Sequence, residues 1–148
     1  MSGRPKLKEG DVMYGNILVA MALDHNVSEK TLEIARMISS PGAKITALHV
    51  LEEPQGTANA RLREDLLQQG TERAKALFDE KLGGAAGVER ALIQGHVGRT
   101  ILSYAEEHGV DCIVMGSHKP GLADYLLGST AARVTRHAAC SVHVYRGG

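Results

Sequence analysis

Two short runs, NILVAM (Asn16 to Met21) and DCIVMG (Asp111 to Gly116), are apolar at nearly every position. A strand of that kind has no alternate face to turn to water, so it must be covered on both sides. The segments between and around these runs supply the cover. Val27, Thr31, Ile34, Ala35 and Ile38 recur at helical spacing, with Ser28 as a capping residue and SSPG (Ser39 to Gly42) as the stop. KITALHV (Lys44 to Val50) reads as a second strand. A helix over Ala60 to Leu82 follows, with Leu62, Leu66, Ala74 and Leu77 along one side. VERALI (Val88 to Ile93) is a third strand whose charges suit a sheet edge, and VGRTILSYAEEHG is a helix closed by Gly109. After the fourth strand, Ser129 to Ala138 forms a helix with Leu127, Ala131, Val134 and Ala138 in register, and SVHVY is a fifth strand.

Strands alternating with helices predict an α/β fold, an open, doubly wound, five-stranded parallel sheet joined by right-handed crossovers. In such sheets ligands bind beyond the carboxyl ends of the strands where the strand order reverses. If the first and fourth strands flank that reversal, AMALDHN and GSHKPG line the crevice.

Composition narrows the function. The 148 residues carry 17 Lys plus Arg against 17 Asp plus Glu, so no excess of positive charge points to nucleic acid or an anionic membrane. With no Trp and one Phe there is no stacking platform for single-stranded nucleic acid. Cys112 and Cys140 match no zinc spacing and form no disulfide framework, so both are expected to be reduced structural thiols. No signal-like stretch or run of about 18 apolar residues is present, and a cytosolic protein is expected. The polar residues 1–12 are expected to be a leader or tail ahead of one domain over 13–148.

The stretch MGSHKPGLADYLLGST (Met115 to Thr130) admits two readings. Gly128 permits close approach of an anion to the unpaired N–H groups of a helix start, Ser129 and Thr130 add hydroxyls, and Gly116 lets a second backbone segment approach. Alternatively Gly128 turns the chain and Ser129 caps a helix. Arg133 and Arg136 are expected on a solvated face, and the seven histidines show no paired-ligand spacing.

From Met13 to Arg146 the chain resembles the universal stress protein family. Its nucleotide-binding members carry Gly, two residues, Gly, nine residues, then Gly-Ser or Gly-Thr. Gly116 and Gly128-Ser129-Thr130 fill most of that pattern, and GHVGRTILSYAEEHGVDCIVMGSH and RHAACSVHVYR resemble the segments around it. The resemblance implies strand order 3-2-1-4-5, an adenine nucleotide alpha-hydrolase-like fold, a homodimer joined through the last strand, and ATP, ADP or AMP as ligand, with or without magnesium. The implied ligand contacts are Ala20, Met21, Ala22 and Asp24 after the first strand and Val50 at the end of the second. Met115, Gly116, His118 and Lys119 follow from the fourth strand, and Gly128, Ser129 and Thr130 from the helix start. Two departures stand out. The family's second glycine falls on Lys119, followed by Pro120 in a loop one residue short, as in a branch that includes ATP-binding members. The aspartate usual at the end of the first strand falls on Ala22, with Asp24 two residues later.

No GxSxG, Walker or HExxH sequence occurs, so ATP hydrolysis is expected to be slow at most. The expected function is a dimeric, nucleotide-dependent regulatory module presenting a surface to a protein partner. The alternatives are a weak ATPase or self-phosphorylating enzyme with Ser129 or Thr130 as acceptor, and a scaffold that has lost nucleotide.

Overall fold

The computed structural model describes residues 14–22, 27–53, 56, 59–117 and 127–146. Five strands and four helices alternate along the chain: β1 (Tyr14–Ala20), α1 (Val27–Ile38), β2 (Ser39–Leu51), α2 (Ala60–Leu82), β3 (Val88–Gln94), α3 (Val97–Glu107), β4 (Cys112–Gly116), α4 (Ser129–His137) and β5 (Ser141–Tyr145). The strands form one parallel sheet in the order β3-β2-β1-β4-β5, as expected. Alternate side chains of the central strands feed two cores. Ile17, Val19 and Cys112 pack with Leu32 and Ala35 of α1 and Ala74, Phe78 and Leu82 of α2. Leu18, Leu48, Ile113 and Met115 pack on the other face with Ile101 and Ala105 of α3 and Ala131 and Val134 of α4. The order reverses between β1 and β4, which places the crevice of a doubly wound sheet at their carboxyl ends.

Three local expectations are corrected. The helix does end before SSPG, but β2 begins there rather than at Lys44. Ser39 pairs with Tyr14 and Lys44 with Asn16, so the extra residues, among them Pro41 and Gly42 (φ +76°), are absorbed in a bulge. In α2, Leu62 and Leu66 are 50% and 41% exposed, and the buried residues are Ala74, Phe78 and Leu82. A Cβ on Gly70 would lie 3.8 Å from the side chain of Leu51, the last residue of β2. The helix turns preceding Gly70, about 1.5 Å per residue, therefore rise past the end of the sheet, and among the described residues nothing covers Leu62 and Leu66 there. Leu127 lies two residues before α4 and is 38% exposed, while Ala131 and Val134 of the helix are buried.

Local hydrogen bonds explain the sharp ends. Gly109, at φ +63°, closes α3 in a Schellman turn: Val110 N–H reaches Ala105 O at 2.9 Å and Gly109 N–H reaches Glu106 O at 3.4 Å. At the amino end of the sheet the Asp111 carboxylate accepts from the N–H groups of Gly15 (3.0 Å) and Asn16 (3.1 Å). The Asn16 amide in turn donates to the carbonyls of His108 (2.8 Å) and Gly109 (3.1 Å). These bonds fasten β1 to the α3–β4 turn, at the end of the sheet away from the crevice.

Candidate functional site

At the carboxyl end of β4 the chain leaves the sheet through Ser117 and returns at Gly128. Ser117 is 4% exposed; its N–H donates to Tyr145 O at 2.9 Å, and its carbonyl accepts from Gly128 N–H at 2.5 Å. One hydrogen bond thus joins the two ends of the excursion and sets the start of α4 beside the end of β4. Gly128 is the N-cap of α4, with φ −62° and ψ 157°, and among the described residues no side chain caps this helix. The other described helix caps differ: Asn59 Oδ1 accepts from Arg61 N–H (2.9 Å) at α2, and His96 Nδ1 accepts from Arg99 N–H (3.3 Å) at α3. Ser129, a candidate cap in the turn reading, is instead the first residue of α4. The dihedrals of Gly128 are open to any residue, so the backbone conformation does not itself demand glycine at this cap. The helix carries no acidic residue in its first turn and Arg136 and His137 in its last. Its own carboxylates therefore leave the positive end of its dipole uncompensated.

The residues expected from β1, β2 and β4 do meet at this end of the sheet. Met21, Val50 and Met115 are 5%, 7% and 4% exposed, so their side chains belong to the two cores and their main chain is what they can offer a ligand. Ala20 and Gly116 are half-buried, Ala22 is exposed, Ser129 is exposed and Thr130 is half-buried. Asp24, His118 and Lys119 lie outside the described residues. Arg136 is exposed as expected, whereas Arg133 is half-buried. Its stem crosses α3, and a Cβ on Gly98 would come within 2.8 Å of Arg133 Cδ. The small residue at position 98 is what allows α3 and α4 to approach with the arginine between them.

Several bonds have no counterpart in the motif reading. His96 sits directly before α3, where its position alone was a signal for a cap. His49 Nδ1 lies 2.8 Å from Met21 O, and its ring meets Phe78 edge-on at 6.0 Å. His108 donates to Tyr104 O at 2.9 Å and stacks on the Tyr104 ring at 3.8 Å. Both cysteines are free thiols, and burial, followed by the proximity of Cys140 and Asp111, pushes Cys112 up to about 11. Among the described residues no group of three His, Cys, Asp or Glu could hold a metal ion, and no helix is long and apolar enough to cross a membrane. Two shallow hollows of about 230 and 250 Å³ lie along α3, one beside Arg99 and Tyr104 and one beside Gly109 and Cys140.

The model of the universal stress protein family matches residues 13–146, nearly the whole described fold. The chain belongs to the universal stress protein family. It is 28% identical over 145 residues to universal stress protein G of Escherichia coli O157:H7, covering 90% of this chain and all of that one. Among solved structures it is similar to the universal stress protein UspA from Lactobacillus plantarum, with a TM-score of 0.79, 26% identity, and coverage of 92% of this chain and 100% of that one. A universal stress protein solved in complex with cAMP shares the fold at a TM-score of 0.59 and 24% identity, over 91% of this chain and 98% of that one. Membership in the universal stress protein family accounts for the fold, which the solved universal stress protein structures share.

Proposed function

We propose that this universal stress protein binds an adenine nucleotide, ATP in the first instance, across the carboxyl ends of β2, β1 and β4, with its phosphates at the start of α4. The observation that carries the proposal is the N-terminus of α4, without a side-chain cap among the described residues, fronted by a glycine and held beside the end of β4 by the Gly128–Ser117 bond. Backbone N–H groups with the dipole behind them favour an anion. The residues present fit the group: the cap residue Gly128 brings no side chain to the helix start, and Ser129 and Thr130, both hydroxyl residues, form the first helical turn. The cAMP complex of a similar fold supports an adenine nucleotide as the class of ligand. Magnesium, where it accompanies ATP, neutralises phosphate charge.

The nucleotide acts here as a regulatory ligand of a cytosolic homodimer with a protein partner, not as a substrate for fast turnover. The β5 edge supports the dimer: β5 pairs with β4 on one side only among the described strands, and Val142 and Val144 lie on it half-buried. Pairing with a second copy removes that edge. Light scattering at micromolar concentration is expected to give twice the chain mass, and a monomer refutes the dimer. The nucleotide proposal is tested by calorimetric titration of the dialysed protein with ATP and magnesium, beside Gly128→Glu. Saturable binding that is lost in a folded Gly128→Glu variant is expected. Absence of binding in the parent protein, or undiminished binding in the variant, overturns it.

A further inference from the structure

Met21 is the first residue past β1, and β2 holds both its polar main-chain atoms. Its N–H donates to Leu48 O at 2.8 Å, a last rung of the ladder, and its carbonyl lies 2.8 Å from Nδ1 of His49. A carbonyl only accepts, so Nδ1 carries the proton. The ring is braced in turn by Phe78 of α2, which meets it edge-on and is 3% exposed. A buried aromatic thus fixes the imidazole, and the imidazole fixes the peptide at which the chain leaves the sheet.

β1, which that peptide ends, lies between β2 and β4, so His49 grips it from the side of the sheet away from β4. Neighbouring strands are spaced about 4.8 Å, so β2 is about 10 Å along the sheet from β4, a separation that a nucleotide with its phosphates at α4 spans with its base and ribose. On the footing of the nucleotide binding proposed above, we propose that His49 is a positioning residue for the base end of the ligand. It holds the main chain at Met21 and Ala22 in the form that receives adenosine, without touching the phosphates.

The consequence is a separation between the two ends of the ligand. His49→Phe keeps a ring against Phe78 but removes the donor; His49→Asn restores an amide nitrogen at the position of Nδ1. Calorimetry with ATP and with inorganic tripolyphosphate reads the two ends, and amide exchange at Met21 and Ala22 reads the main chain directly. His49→Phe is expected to lower ATP affinity about tenfold, the scale of one lost positioning bond, leave tripolyphosphate affinity unchanged, and speed exchange at Met21 and Ala22. His49→Asn is expected within about threefold of the parent for ATP. Should the phenylalanine variant not fold, His49→Gln, which keeps a donor but sets it one bond too far, is expected to show the same pattern. Equal ATP affinity in parent and variant, or a parallel loss of tripolyphosphate, overturns the role of His49 while leaving the nucleotide site standing. A parent protein that binds no ATP overturns both.

Discussion

Cys112 shows how a single residue's surroundings convert into a measurable dependence on pH. Its thiol is 1% exposed, and burial raises it from 9.0 to about 11. Below pH 9 the folded and unfolded chains both keep the proton, so stability does not vary through this group. Between about pH 9 and 11 the unfolded chain gives it up first, and stability falls as pH rises. Relative to Cys112→Ala, urea denaturation of the parent protein is expected to lose on the order of 2 kcal/mol across that window. A constant difference would mean that the thiol is not held protonated by the fold. Asp111, its neighbour, serves the opposite end of the molecule from the crevice. Asp111→Ala removes the acceptor of the exposed Gly15 and part-buried Asn16 N–H groups and is expected to cost about 1 kcal/mol in denaturation, with ATP affinity unchanged. A loss of ATP affinity in a folded variant would show that the two ends of the sheet are coupled. In the sequence Asp111 was legible only as a strand boundary, because its partners lie in β1, some 95 residues away along the chain.

Among the elements, α2 separates what periodicity reveals from what packing decides. Its limits follow from sequence, and the structure returns the same ones, Ala60–Leu82. Its buried face does not follow, because a leucine at helical spacing is buried only if a surface stands opposite. Leu62 and Leu66 lie before Gly70, which packs at the end of β2, whereas Phe78 is buried in the core and meets His49 of β2. Thermal or urea unfolding should therefore rank them sharply: Leu62→Ala and Leu66→Ala within about 0.5 kcal/mol of the parent, Phe78→Ala down by about 3–5 kcal/mol. Comparable losses at all three would show that the first turns of α2 are covered in solution. The start of α4 makes the same point from the side of function. Gly-Ser-Thr is compatible with a capped helix or a phosphate cradle, and the placement of Ser129 inside the helix, with Gly128 as a cap lacking a side chain, removes the serine as the cap.

For the whole molecule, a ligand that binds only the folded state must stabilise it. At about 100 times the dissociation constant the gain is about 2.7 kcal/mol. For a chain of this size that raises the melting temperature by roughly 5–10 °C. Scanning calorimetry is expected to show this rise with ATP in the parent protein and none in Gly128→Glu; an equal rise in both would place the ligand elsewhere. The architecture that makes such a site was largely legible. Runs such as ILVAM and CIVMG dictate strands buried on both faces, the helical patterns between them dictate crossovers, and the resemblance of residues 13–146 to the universal stress proteins supplied the strand order. What the sequence determined by itself was thus the kind, number and order of the elements, since periodicity and turn residues act over a few neighbours. Only the tertiary structure decided which half of α2 is buried, that Ser117 closes on Gly128, and that His49 reaches Met21 O. Those contacts join residues distant in sequence, and their formation depends on where each element ends against the sheet, a length that no local pattern encodes.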